Sequence, residues 1–218
     1  MTEKSENKIA LLRREFTKGG LRRSDLKDDP VKQFDIWFQQ ALDVDQIDAN
    51  AVTLSTATSE GQPSSRIVLL KGFDERGFIF YTNYSGNKSI ELQQNPHVAL
   101  CFYWADLDRQ VRIEGKAKKV PRNESAEYFL LRPRESQIGA WASDQSRPVK
   151  NRQMLEDQFN EMVKKFDNEE VPLPDDWGGY VVEPHKIEFW QGRANRLHDR
   201  FVYTLESDSS WKIIRLYP

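Results

Sequence analysis

Phe34, Trp37, Phe38, Ala41 and Leu42 recur at the spacing that lines one face of a helix, and Asp29-Pro30 ahead of them supplies an N-cap with proline at the first helical position. The pattern predicts an amphipathic helix from about 30 to 46. From Ala51 the texture changes to short β-rich runs at 51–58, 66–71 and 78–82, with Glu60-Gly61-Gln62-Pro63 and Asp74-Glu75-Arg76-Gly77 as turns between them. This reads as an antiparallel meander. A short helix over 86–94, which Ser85 can cap, closes at Asn95-Pro96 and precedes strands at 97–104 and 109–120. In the second of these, alternation points Val111, Ile113 and Ala117 inward and Arg112, Glu114, Lys116 and Lys118 outward.

Helical spacing returns at 124–131, before Pro133, and again at 136–142 and 152–166, where Leu155, Phe159, Met162, Val163 and Phe166 form a stripe read as core. Pro172 and Pro174 mark a loop before closing strands near 178–190, 197–205 and 211–216. Strands flanked by helices, without regular alternation of the two, indicate an α+β fold on an antiparallel sheet or barrel. No internal repeat or linker divides the chain, so the expected organisation is one domain over 29–218 with a mobile amino-terminal arm over 1–28.

The chain has 218 residues, 38% of them hydrophobic and 11% aromatic, enough for a real core. A net charge of −2 and a pI near 6.0 argue against a surface built to neutralise nucleic acid, so anion recognition has to be local. A basic arm of Arg13, Arg14, Lys18, Arg22 and Arg23 is the feature that would favour a nucleic-acid partner, and the acidic overall balance weighs against it. Cys101 is the single cysteine, which fits a reducing compartment and a packing role. With no signal peptide and no apolar run near the roughly 20 residues of a membrane span, the expected location is the cytoplasm.

Several chemistries lack their signatures. His97, His185 and His198 stand at no short ligand spacing, so a metal site is not expected, and there is neither a Gly-x-Ser-x-Gly elbow nor a glycine-rich phosphate loop. What recurs is a cation beside hydroxyls and amides. Arg66 and Lys71 bracket an apolar run; Tyr81-Thr82 ends a strand; Lys88 lies in the first turn of a helix, whose free N–H groups favour an anion. Tyr128 and Arg132 are four apart, with Ser136 just beyond Pro133. Near the carboxyl end, an extended reading of 196–201 places Arg196, His198 and Arg200 on one face and Leu197 and Phe201 on the other, a surface suited to an anionic, planar ligand.

Taken in order, these pieces resemble the pyridoxamine 5′-phosphate oxidase family over nearly the whole chain. The blocks that carry the resemblance are Leu12-Arg13-Arg14-Glu15, Gly19-Gly20-Leu21, Arg66-Ile67-Val68-Leu69-Leu70-Lys71, Phe80-Tyr81-Thr82-Asn83, Arg132-Pro133-Arg134-Glu135-Ser136-Gln137-Ile138-Gly139-Ala140-Trp141, Phe189-Trp190-Gln191-Gly192 and Arg196-Leu197-His198-Asp199-Arg200. The resemblance implies a split β-barrel that binds FMN at a homodimer interface and oxidises pyridoxine or pyridoxamine 5′-phosphate, with dioxygen as electron acceptor and hydrogen peroxide as product.

By the same resemblance the cofactor contacts are Arg66, Ile67, Val68, Leu69, Leu70, Lys71, Tyr81, Thr82, Asn87, Lys88, Gln110, Gln145, Ser146, Trp190 and Arg200. The substrate contacts are Arg13, Arg14, Lys71, Tyr128, Arg132, Ser136, Arg196 and His198, with Arg196 and His198 at the reacting carbon, and Asp48 resembles a family acid near the substrate. Two departures stand out: Asn87 where a second cation is expected beside Lys88, and Phe16 where the arm often offers tyrosine. Arg66 and Lys71, five apart, cannot both face one ligand from a flat strand without a bulge, a strand end or a second chain. A split barrel that binds FMN or pyridoxal phosphate without turnover, as a carrier or sensor, is the rival reading.

Overall fold

Asp29 caps the first long helix as the pattern predicts, its carboxylate accepting from the Val31 N–H (2.8 Å) and the Lys32 N–H (3.4 Å). That helix, α1, spans Pro30–Asp43 and buries Phe34, Trp37 and Ala41. The computed structural model describes residues 8–218. The remaining elements are β1 Ala51–Ala57, β2 Pro63–Leu69, β3 Gly72–Asp74, β4 Gly77–Asn83, α2 Asn87–Gln94, β5 His97–Trp104, β6 Arg109–Lys119, α3 Arg122–Leu130, α4 Arg134–Ala142, α5 Arg152–Lys165, β7 Trp177–Gln191, β8 Asp199–Leu205 and β9 Trp211–Leu216, with short 3-10 turns between some of them. Among the described residues nine strands join in the order β2-β1-β5-β6-β7-β4-β3, and β8 pairs with both β7 and β9. The antiparallel α+β reading therefore stands, but the expected meander of the first strands does not, since β2 ends the order beside β1 while β4 lies between β7 and β3.

The chain forms two compact units, and β5, β6 and β7 contribute residues to both. The first consists of residues up to Ala49, Tyr103–Val111 and Glu188–Pro218. Its core joins α1 to strand aromatics: Trp37 meets Phe189 edge-on at 5.1 Å, Phe34 lies 5.9 Å from Trp104, and Phe189 lies 5.4 Å from Tyr203. The polar ends of these rings are satisfied, Trp104 by the Ala49 carbonyl (2.9 Å) and Tyr203 by that of Lys27 (2.6 Å). Leu21 and Leu26, in the segment expected to be an arm, are buried here.

The second unit comprises Asn50–Phe102 and Arg112–Ile187. Its antiparallel register sets Leu54 opposite Arg66 and Thr56 opposite Ser64, which places these four side chains on one face of the β1–β2 pair. Val52 and Leu54 are buried on β1, whereas Ile67 and Leu69 on β2 are 63% and 43% exposed, as expected of a strand at the end of the order. At the β3–β4 turn Gly77 has φ 135°, and a Cβ there would come within 2.0 Å of the Val182 carbonyl oxygen, so only glycine fits.

Four local expectations need correction. Residues 196–198 are not extended: Asn195 and Arg196 take left-handed backbone conformations (φ 58° and 62°), and β8 begins only at Asp199. The shared face for Arg196, His198 and Arg200 is lost with that strand, leaving Leu197 68% exposed while Phe201 is buried. Ser85 does not cap α2; Gly86 holds the N-cap position and the Ser85 hydroxyl donates to Asp176 (3.1 Å). The strand expected at 66–71 runs over Pro63–Leu69, and a further short strand, β3 at Gly72–Asp74, precedes the expected turn. Finally, α5 buries none of its residues fully. Phe159 and Met162 only lean, partly buried, on a cluster of Phe129, Ile138, Phe166, Val171 and Trp177.

Candidate functional site

A cavity of about 580 Å³ opens in the second unit, lined by Ile67, Val68 and Leu69 from the end of β2, Lys71 just beyond it, Tyr81, Thr82 and Asn83 from β4, Lys88 from α2, Tyr128 from α3, Leu131–Pro133, Ser136 from α4, Gln145, and Trp177. Short turns between neighbouring elements bring their ends together here. Three of the lining residues are cations and none is a carboxylate, so the space is selective for an anion.

Two polar groups lie within it. In the first, the Lys88 ammonium donates to the Thr82 hydroxyl (3.0 Å) and to the Gln145 amide oxygen (2.5 Å), and Thr82 donates to the same oxygen (3.2 Å). Burial, and next the charge of Arg66, holds the Lys88 ammonium below the ordinary lysine value, with Glu91 opposing. In the second, the Arg132 guanidinium lies 4.7 Å over the Trp177 ring and 5.4 Å over Phe129. Among the described residues its Nη1 is buried without a hydrogen-bond partner, and burial pushes its pKa down. A desolvated donor on a permanent cation is costly unless an anion completes it. Tyr128 and Ser136 border the same space, and Tyr81 stacks on Tyr128 at 3.9 Å and 13°. Burial above all pushes the Tyr81 phenol up to about 12, so it stays a proton donor.

Most of the residues named from the sequence for this region meet here: Ile67, Val68, Leu69, Lys71, Tyr81, Thr82, Lys88, Gln145, Tyr128, Arg132 and Ser136. Some do not line the cavity. Leu70 is buried and ties its N–H to Asn50 (2.8 Å), while Asn87 and Ser146 are exposed. Arg66 does not line the cavity and instead pairs with Glu91 (3.1 Å), and the end of β2 at Leu69 frees Lys71 from the strand's alternation. Asn83, Leu131, Pro133 and Trp177 line the cavity without having been named as contacts. Trp177 carried a usable signal, a large aromatic at the first position of a strand after two prolines and two aspartates.

The first unit holds the other named residues. His198 Nδ1 accepts the Arg193 N–H (3.1 Å), which fixes the neutral ring with its hydrogen on Nε2. The ring lies 4.6 Å from Trp190 and 5.4 Å from Phe16, and Phe16 meets Trp190 at 5.5 Å. Burial, and then the Arg196 charge, lowers the His198 pKa. Arg196 is exposed, and Arg200 is held by Glu188 (2.7 Å) and the Tyr217 carbonyl (3.0 Å). Gln110 is half-buried; Arg13 and Arg14 are exposed, and Arg14 pairs with Asp108, which also accepts the Thr17 and Lys18 N–H groups (3.1 and 3.3 Å). Asp48 is an exposed loop residue.

Residues 40–165 match the family model described as pyridoxamine 5′-phosphate oxidase. The chain belongs to the pyridoxamine 5′-phosphate oxidase family. Residues 177–218 match that family's C-terminal dimerisation region, so the chain is built as a homodimer. It is 54% identical to the pyridoxine/pyridoxamine 5′-phosphate oxidase of Rippkaea orientalis over 96% of this chain and 99% of that one, which makes it an oxidase-family enzyme. Among solved structures, PhzG from Burkholderia lata in complex with tetrahydrophenazine-1-carboxylic acid is 29% identical, with a TM-score of 0.86 over 91% of this chain and 98% of that one. An FMN-binding, oxidase-related protein from Nostoc punctiforme shares the fold at 15% identity, with a TM-score of 0.71 over 88% of this chain and all of the other. The expected split barrel agrees with both likenesses. Among the described residues no helix is long and apolar enough to cross a membrane.

Proposed function

We propose that the chain is an FMN-dependent oxidase that converts pyridoxine or pyridoxamine 5′-phosphate to pyridoxal 5′-phosphate, with dioxygen as acceptor and hydrogen peroxide as product. The observation that carries the reading is the buried, unpartnered Nη1 of Arg132 in a cavity with three cations and no carboxylate. The donor set fits two phosphates: Lys88, Thr82 and Gln145 for the cofactor, and Arg132, Tyr128, Ser136 and Lys71 for the substrate.

FMN, held by Lys88, Thr82 and Gln145, would supply the hydride-accepting and dioxygen-reducing chemistry. Every other task falls to side chains. Arg132 offers a fork to the substrate phosphate, Tyr128 and Ser136 add hydroxyl donors, and Lys71 adds charge. Ile67, Val68 and Leu69 give the cavity an apolar side against which a planar ring would lie. His198, neutral and with Nε2–H to donate, and Arg196 orient the substrate at the reacting carbon and stabilise charge near it. Arg13 and Arg14 belong to the substrate side in this reading, and the assembly that shares the cofactor is the dimer.

The test is the visible absorbance of the purified protein with FMN, without oxygen, before and after addition of pyridoxine 5′-phosphate. Bleaching of the flavin band is the expected result, with peroxide released on readmitting air. A bound flavin that stays oxidised would refute the turnover and favour a carrier.

A further inference from the structure

On the β1–β2 pair, just outside the cavity lining, four acceptors surround one guanidinium. Arg66 Nη1 donates to the Leu54 carbonyl (3.3 Å) and to the Thr56 hydroxyl, and Nη2 donates to the Ser64 hydroxyl and to Glu91 (3.1 Å). The same two hydroxyls donate onward to Glu91, Ser64 at 2.7 Å. Each hydroxyl thus receives a hydrogen from Arg66 and passes its own to one carboxylate oxygen, a directed circuit in which Glu91 fixes the sense of every bond. Glu91 sits on α2 three residues after Lys88, so the two share a helix face. Burial alone would push the Glu91 carboxyl up; the bonds from Thr56, Ser64 and Arg66 outweigh it and leave the group ionised.

We propose that Glu91 is a positioning residue for the cofactor phosphate, acting through Arg66. The inference rests on the FMN reading above and adds a residue that touches neither ligand. Arg66 is near enough to Lys88 to disfavour its charge, so the two cations form one positive field at the start of α2. Among the described residues the four bonds from Arg66 all come from Nη1 and Nη2, so the guanidinium presents a fixed charge rather than an open fork. A long cationic side chain free to rotate gives up much rotamer freedom when it meets a phosphate; one held at four N–H bonds has given it up on folding. The arrangement matters more in a chain whose neighbouring position, Asn87, offers no second cation.

The carboxylate also has a contrary effect, since its negative charge repels phosphate. Two variants separate the two. Glu91→Gln removes the charge and keeps an acceptor oxygen for Arg66; Glu91→Ala removes both. Flavin-free full-length protein is titrated with FMN and with riboflavin, which lacks the phosphate, and binding is followed by quenching of flavin fluorescence. The expected result is an FMN Kd roughly tenfold weaker for Glu91→Ala, a smaller loss for Glu91→Gln, riboflavin binding unchanged in both, and no further loss when Glu91→Ala is added to Arg66→Ala.

Glu91→Ala protein that binds FMN as tightly as the wild type or more tightly would overturn the proposal, showing that repulsion dominates. Equal weakening of both flavins, or an undiminished effect in the Arg66→Ala background, would overturn it too, as the mark of a general structural role. A wild-type chain that takes up neither flavin would instead refute the reading of the site, and this inference with it.

Discussion

Arg132 concentrates the conflict between stability and function in one side chain. Its guanidinium is stacked over Trp177 with Nη1 buried and unpartnered, so the ligand-free fold carries an uncompensated donor. Arg132→Met removes that donor while keeping most of the stacked volume. Steady-state assays should show KM for the substrate raised by about 100-fold, the loss expected when a phosphate forfeits a charged fork, with FMN affinity little changed. Thermal melting of the same variant should show an unchanged or raised Tm, since an unsatisfied polar group has gone. A large fall in Tm would mean that Arg132 is chiefly a packing residue. His198 yields a second prediction. Its folded pKa is below the ordinary value, so between the two values the unfolded chain binds more protons than the folded one, and stability falls as pH drops through that window. Wild-type Tm should therefore decline more steeply from pH 7 to 5 than that of His198→Gln. Parallel curves would show that the imidazole is not shielded.

At the scale of elements, legibility followed how far local chemistry alone decides the backbone. Asp29-Pro30 is a local signal, and α1 starts there; Asp29→Ala should lower stability by about 1 kcal/mol in urea unfolding, the usual worth of such a cap. The inward residues of β6 were readable from alternation for the same reason, and Val111 and Ile113 are fully buried. The turn at 194–196 was not readable, because Arg196-Leu197-His198 alternates as a strand would and only the left-handed angles at Asn195 and Arg196 break it. Asparagine tolerates that conformation and a β-branched residue does not, so Asn195→Val should cost about 1–3 kcal/mol and Asn195→Gly far less. The stripe on α5 was legible as amphipathic but not as half-exposed, since the depth to which a helix sinks depends on what packs against it.

For the molecule as a whole, the candidate site was readable mainly through family resemblance, because its residues come from five separated stretches and no spacing links Lys71 to Arg132. Trp177 and Glu91 escaped notice since each acts through a neighbour, one beneath Arg132 and the other behind Arg66. Assembly leads to the last prediction. With the family's dimerisation region at 177–218, folding is coupled to association, and a flavin that binds only the folded dimer adds RT ln(1 + [L]/Kd) to its stability. At a hundredfold excess over Kd that is about 2.7 kcal/mol. For a chain of 218 residues it corresponds to a rise in Tm of roughly 5–10 °C. Calorimetric scans at several protein concentrations should show Tm rising with concentration both with and without FMN, the two series displaced by that interval. A Tm that does not move with protein concentration, with the FMN displacement intact, would mean that one chain folds and holds the cofactor alone. Displacement by FMN but none by riboflavin would place most of the linkage at Lys88 and Thr82, where the phosphate is expected.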